Sequence, residues 1–217
     1  INNKRLIHTS TSEIYGNAKK FPISEEEMPL SQSPYAATKI AGDQLALSYY
    51  KSYNLPVTII RPFNTFGPRQ SARAIIPTII SQALKRNTIK LGFLKAKRNF
   101  NYVDSTIDGY IAAIKSRKGI GEIINIGSEL EISIENLVKI ISKNLKKKLV
   151  IQIDKKRIRP EKSEIFRLIA DGKKAKRLLN WKTKMNKKYF EDSIKKTIDW
   201  YITSKNQNQI NDKIYNI

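Results

Sequence analysis

Apolar positions along the chain follow two rhythms that alternate. Short continuous runs, KRLIHTS at 4–10, LPVTIIRP at 55–62, EIINIG at 122–127 and LVIQI at 149–153, read as buried strands. IKLG at 89–92 and NFNYV at 99–103 are strand-like as well. Between these runs the apolar residues recur three and four apart, which predicts helices. The predicted helices are Pro34 to about Tyr53, Ile75 to Arg86, STIDGYIAAIKS at 105–116, SIENLVKIISKNLKK at 133–147, KKAKRLLNW at 173–181, and about Lys188 to Thr203.

Local signals set several boundaries. Ser33 is placed to cap a helix whose first residue is Pro34, and Asn54 is placed to end it. Asp104 is expected to cap the helix that follows Tyr102 and Val103. Strands alternating with helices of this length argue an α/β fold with parallel strands. There is no internal repeat and no low-complexity block.

Composition narrows the classes. No run is long enough to cross a bilayer, and no leader with a small-residue cleavage site opens the chain, so the cytoplasm is the default location. The absence of cysteine excludes a disulfide framework and any thiolate metal site. The net charge of +22 is back-loaded: residues 1–70 hold 8 basic and 5 acidic side chains, and the remainder 33 and 14. The excess is mostly lysine scattered over many segments, with no zinc spacing or aromatic ribonucleoprotein motif beside it, so it reads as a compositional bias. A non-catalytic, basic nucleic-acid-binding fragment is the competing reading of that charge. The chain opens on Ile1 and enters a strand almost at once, and it is expected to be a piece of a longer chain.

Candidate chemistry gathers at the end of the first strand. In open α/β sheets ligands bind beyond the carboxyl ends of strands, and Thr11, Ser12 and Glu13 stand at such an end. Tyr35 and Lys39, four apart, share one helix face. A phenol is a poor base at neutral pH, but a nearby ammonium favours its phenolate. Such a pair can take the proton of a sugar hydroxyl while the carbon gives up a hydride. The spacing by itself is weak, because Tyr15/Lys19 and Tyr201/Lys205 share it; only Tyr35/Lys39 follows a capped start and a hydroxyl–acid cluster. The plain alternative for Tyr35 is a surface aromatic beside a solvated lysine. The single histidine, His8, reads as structural, and Glu25, Glu26 and Glu27 as a solvated loop.

STSEIYG, SPYAATK and RPFNTFGPRQ, in that order, resemble the extended short-chain dehydrogenase/reductase family of nucleotide-sugar epimerases, dehydratases and decarboxylases. The likeness continues through RNFNYVD, GEIINIGS, IRPEKSE and ADGKKAKRLLNW, nearly the whole chain. It implies NAD as cofactor, a nucleotide sugar as substrate, and the C-terminal part of a Rossmann-like, doubly wound parallel sheet with a smaller α/β substrate lobe. Residues 1–70 would finish the NAD-binding domain. Residues 71–205 would form mainly the substrate lobe, returning some elements to the first domain, with 206–217 as a polar tail.

The resemblance also implies roles. Thr11 would hold the reacting hydroxyl, Tyr35 would be the base, and Lys39 would hold the cofactor ribose. Pro62 would pack near the nicotinamide, Asn64 would meet the diphosphate region, and Arg98 and Arg159 would bind phosphate. The glycine-rich turn with which the family starts is not found among the nine glycines, so the piece by itself is expected to bind NAD poorly and turn nothing over. Glu13 suggests a C5 base, which a 4,6-dehydratase needs and a simple 4-epimerase does not. Many hexose dehydratases carry Asp where this chain carries Ser12.

The leading expectation is 4,6-dehydration of a UDP-N-acetylhexosamine, the stretch RPFNTFGPRQSARAIIPTII resembling dehydratases of legionaminic-type sugar synthesis. UDP-glucuronate decarboxylation and 4-epimerisation are the alternatives in the same class. Members commonly dimerise through a four-helix bundle, to which the Pro34–Tyr53 helix would contribute.

Overall fold

The computed structural model describes residues 4–158 and 160–203. The first part of the chain forms β1 (Leu6–Thr9), α1 (Pro34–Tyr53), β2 (Val57–Pro62), β3 (Thr65–Phe66) and α2 (Ile75–Lys85). Next come β4 (Thr88–Leu91), β5 (Lys97–Asn99), β6 (Asn101–Tyr102), α3 (Val103–Lys115) and β7 (Ile123–Ile126). The remainder is β8 (Glu131–Ser133), α4 (Ile134–Leu145), β9 (Val150–Ile153), β10 (Arg167–Leu168), α5 (Lys173–Leu179) and α6 (Lys187–Ile202). No described helix is long and apolar enough to cross a membrane.

The longest strand, β2, is the middle of a parallel sheet in the order β1-β2-β7. Its residues 57–61 are buried, as a strand covered on both faces must be, and its two polar members, Thr58 and Arg61, are buried with bonding partners. Three smaller sheets complete the molecule: β3 with β6, β4 with β9, and β5 between β10 and β8. All pairings are parallel except β5 with β8.

The α1 boundaries follow the predicted chemistry. The Ser33 hydroxyl accepts from the Ala36 N–H at 3.1 Å, Pro34 supplies a first residue that needs no partner, and Asn54 turns left-handed at φ 53° to stop the helix. In α2 the internal Pro77 falls in the first turn, where no intrahelical bond is lost. Asp104 differs from expectation: Tyr102 occupies the cap position, and Asp104 lies one residue inside the helix, in the first turn. A carboxylate there still favours the helix through the dipole.

NFNYV also departs from a single strand. It breaks at Phe100 into β5 and β6, which join different sheets. The two asparagines flanking the break explain it. Asn99 donates its amide to Ser128, whereas the Asn101 backbone N–H donates to the Asn64 carbonyl at 2.8 Å. Each half is thereby held by a different partner.

The largest apolar cluster unites α2, α4 and α6 with β4 and the aromatic rings of Phe66, Phe100 and Phe190. Phe66 and Phe190 meet edge to face at 5.4 Å. A smaller cluster of Ile14, Tyr15, Ile23, Phe63 and Leu168 lies beneath the end of β1 and supports the site.

Candidate active site

Beyond β1 the chain makes one tight 3-10 turn, Ser12–Tyr15. Thr11 caps it, its hydroxyl accepting from the Glu13 N–H at 3.2 Å. Gly16 ends it at φ 53°, where a Cβ would stand 2.6 Å from the Leu30 carbonyl oxygen, so a side chain there is excluded twice over. Ile14 and Tyr15 are buried while Glu13 stays half-exposed, so the turn presents its acid outward.

The acid opens into a cleft of about 780 Å³. Among the residues predicted from sequence, Glu13, Tyr35, Asn64 and Arg98 line it together. Thr11, the cap, and Ser12, the first residue of the turn, are buried, and Pro62 closes β2, with Phe63 N–H donating to the Ile126 carbonyl. Lys39 reaches back toward β1: its ammonium donates to the Thr9 carbonyl at 3.1 Å and lies 5.9 Å from the centroid of the Tyr35 ring. Arg159, Lys205 and the proposed tail 206–217 lie outside the described residues.

The far wall is basic. Arg73, Arg98 and Arg157 all line it, and Glu164 pairs with Arg98. Arg98 donates to the Ile165 carbonyl at 2.6 Å and lies 3.6 Å from the Glu164 carboxylate. Guanidinium groups held this way suit phosphate oxygens, which they can meet with two parallel N–H bonds. Two amides also belong to this wall, and each keeps a buried polar atom with no protein partner: Nδ2 of Asn64 and Oε1 of Gln70. Phe93 stands at the rim, edge to face with Phe166 at 5.6 Å.

Gln70, Arg73 and Arg157 were not singled out by sequence. Gln70 and Arg73 belong to the same RPFNTFGPRQSAR stretch that nominated Asn64, and Arg157 stands two residues before Arg159. Continuing each motif by a few residues would have found all three.

Behind the cleft runs a buried polar chain that sequence reasoning missed. Arg61, the last residue but one of β2, donates through Nε and Nη2 to Asp43 Oδ2 at 3.1 and 2.9 Å, and through Nη1 to the Tyr15 hydroxyl at 2.9 Å. That hydroxyl donates in turn to Asn125 Oδ1 at 2.8 Å, and Asn125 Nδ2 donates to the Ile23 carbonyl at 3.1 Å. Burial pushes the Tyr15 phenol above its ordinary pKa, against the pull of Arg61, and so keeps it a donor. His8 stands beside this chain, 3.3 Å from Asp43.

Glu25 corrects the expectation of a solvated acidic loop. It is half-buried and accepts from the Asn125 N–H at 2.7 Å, and burial raises its pKa despite that bond. The EEE run carried no sign of this, because it looks the same whether or not one member turns inward.

A basic, amide-lined cleft at the carboxyl ends of parallel strands is characteristic of α/β proteins that hold nucleotide-like ligands at that edge of the sheet. Within that class the assignment is direct: the family model described as GDP-mannose 4,6 dehydratase matches residues 1–197, and the chain belongs to that family. The expected place among the extended short-chain dehydrogenase/reductase epimerases and dehydratases is thereby borne out. The chain is 32% identical over 207 residues to dTDP-D-glucose 4,6-dehydratase of Homo sapiens, covering 91% of this chain and 56% of that protein. Pal from Bacillus thuringiensis superposes with a TM-score of 0.80 at 37% identity, covering 90% of this chain and 62% of that one. UDP-glucuronic acid 4-epimerase from Bacillus cereus, solved with UDP-glucuronic acid and NAD, superposes with a TM-score of 0.82 at 31% identity, covering 91% and 61%. The chain therefore spans little more than half the length of the curated relative it matches.

Proposed function

We propose that these residues form the sugar-processing part of an NAD-dependent nucleotide-sugar 4,6-dehydratase acting on a UDP-N-acetylhexosamine. The observation that carries this reading is the cleft itself, which Glu13, Tyr35, Asn64 and Arg98 line together. In this reading residues 1–70 complete the cofactor-binding domain, and most of 71–205 bind the nucleotide sugar.

The groups at the ends of β1 and β2 suit the nicotinamide-ribose end of NAD. Lys39 is a donor held at the Thr9 carbonyl, within reach of ribose hydroxyls, and Pro62 offers an apolar wall. A glycine-rich turn for the pyrophosphate is not among these 217 residues. When bound, NAD accepts a hydride from the sugar and returns it later.

The protein groups handle protons. Tyr35 takes the proton of the C4 hydroxyl as C4 becomes a ketone, with the positive charge of Lys39 facing the charge that Tyr35 carries as a base. The ketone makes the C5 proton removable, and Glu13 takes it. The C6 hydroxyl leaves as water, using a proton that Glu13 returns through solvent. Hydride then enters at C6 and a proton at C5. Two protons are taken and two delivered, so the net change is loss of one water with no net oxidation. Arg98, with Arg159, binds the diphosphate, and Asn64 meets its sugar end.

Ser12 in place of an acid favours 4-epimerisation as the second reading, since that reaction has no leaving hydroxyl to protonate. Both readings place the protein in the cytoplasm as a homodimer, with the exposed Leu45, Tyr49 and Tyr53 of α1 at the subunit contact.

The test is the chain restored with its upstream coding region, incubated with NAD and a panel of UDP-, dTDP- and GDP-sugars, and read by mass spectrometry. Loss of water from UDP-N-acetylglucosamine supports the dehydratase. An isomer of unchanged mass replaces it with the epimerase, and loss of carbon dioxide from UDP-glucuronate with the decarboxylase.

A further inference from the structure

The two groups that the proposed reaction needs, Glu13 and Tyr35, stand on different elements. Glu13 is on the 3-10 turn after β1, and Tyr35 is in the first turn of α1. Neither group is tied to the other among the described hydrogen bonds. Among the described hydrogen bonds, one side chain reaches both elements. Arg61 grips α1 through two N–H bonds to Asp43 and grips the turn through one to the Tyr15 hydroxyl.

We propose that Arg61 and Tyr15 are positioning residues, whose buried contact fixes the turn bearing Glu13 in register with the helix bearing Tyr35. The inference rests on the reading of Glu13 and Tyr35 as the proton-handling pair.

Three observations converge on it. Arg61 is 2% exposed and Asp43 wholly buried, so solvent neither screens the contacts nor replaces them when they break. Tyr15 is fixed on its other side by Asn125, in β7, and its ring lies 5.0 Å from the Arg61 guanidinium carbon. Glu13 is two residues before Tyr15 within a four-residue turn, so rotation or slip of Tyr15 is transmitted directly to the acid. A guanidinium is also suited to this task by shape, since its planar fork bonds two elements at a set angle, which an ammonium does not.

The experiment uses the full-length chain and the Tyr15→Phe variant, which keeps the ring and removes only the hydroxyl. Thr58→Val is the stability control. Thr58 is also buried in β2 and bonds the Gly119 carbonyl at 2.6 Å, remote from the cleft. Two readouts are taken: kcat and KM per folded molecule, and the rate at which a water-soluble carbodiimide with an amine labels Glu13, measured by peptide mass spectrometry.

For Tyr15→Phe, the proposal expects kcat to fall by about ten- to a hundredfold with KM within about twofold, since a small misplacement of a reacting group costs that much. It also expects the labelling rate of Glu13 to change severalfold while that of exposed Glu135 does not. Thr58→Val is expected to lower the melting temperature and leave both readouts alone.

Unchanged kcat, unchanged Glu13 labelling, or an equal loss of kcat in Thr58→Val each overturns the positioning role. So does a Tyr15→Phe chain that loses its fold rather than its rate. If the wild type turns over no nucleotide sugar, the proposed function falls by itself, and Glu13 labelling still decides whether Tyr15 anchors the turn.

Discussion

Arg61 Nη2 and Asp43 Oδ2 stand 2.9 Å apart, with their side chains 2% and 1% exposed, so the protein carries a complete ion pair in its interior. Forming such a pair contributes little net stability, because desolvation offsets most of the attraction, but removing one partner strands a buried charge. Asp43→Ala is therefore expected to cost about 3–5 kcal/mol. The double change Asp43→Leu with Arg61→Met is expected to cost less than that single one. Urea unfolding of the three proteins checks the order; a double variant less stable than Asp43→Ala would show that the pair itself stabilises the fold.

Tyr35 is 49% exposed, which separates its chemistry from the fold. Tyr35→Phe removes a hydroxyl that no described hydrogen bond uses, so the melting temperature is expected to move by less than about 2 °C, as for a neutral surface change. Turnover is expected to drop by about 10²–10⁴-fold, the usual worth of a positioned acid or base. Activity retained at wild-type level would remove Tyr35 from the mechanism.

Two carboxylates should bend the stability curve in opposite directions. Burial raises the pKa of Glu25 in the folded protein. The folded state then holds that proton longer than the unfolded chain, so its stabilising effect is present at low pH and is lost as pH rises through the raised value. Glu131 is the reverse: burial alone would raise it, but the Arg167 fork, with both bonds at 2.9 Å, and Lys97 outweigh burial and hold its pKa down. Its contribution is present above the unfolded value and is lost as pH falls through the lowered one. Melting temperatures from about pH 3 to about pH 8 should show Glu25→Gln gaining on the wild type as pH rises above the ordinary carboxylate range. Glu131→Gln should lose at neutral pH and converge with the wild type in acid. Partial exposure keeps the second effect to about 1 kcal/mol or less. Parallel curves for all three proteins would contradict both assignments.

What sequence made legible was whatever a local rule governs. The limits of α1 were readable because Ser33, Pro34 and Asn54 each satisfy a backbone group within a few residues. β2 was readable because the β-branched run Val57–Ile60 is bounded by Pro56 and Pro62. Four of the expected site residues share one cleft, since ordered motifs carry information about the fold as a whole. Strands β3, β8 and β10 are two or three residues long, too short for periodicity to register. The buried chain from Asp43 through Arg61 and Tyr15 to Asn125 was invisible for a different reason. Its members lie 18, 46 and 110 positions apart, and each alone resembles an ordinary polar residue. In the RPFNTFGPRQ stretch the family resemblance marks Pro62 and Asn64, whereas Arg61 makes three buried side-chain bonds.

Arg98 offers a test of how binding and chemistry are divided in the cleft. Its guanidinium is held by the Ile165 carbonyl at 2.6 Å and lies 3.6 Å from Glu164, an arrangement that sets the plane of the fork before any ligand arrives. In the proposed reaction the diphosphate would carry the same charge before, during and after the change at the sugar carbons. An interaction with it should therefore strengthen ground state and transition state alike, and its loss should raise KM and leave kcat in place. Arg98→Lys keeps the charge but cannot make two parallel bonds, so KM is expected to rise about ten- to a hundredfold, the equivalent of one or two charge-assisted hydrogen bonds. Added salt should weaken binding to the wild type and to Arg98→Lys alike and leave the gap in place, because both carry the charge and only the bond geometry differs. A fall in kcat at constant KM would place Arg98 at the reacting carbons instead, and the diphosphate would then have to be held by Arg73 and Arg157 on the same wall.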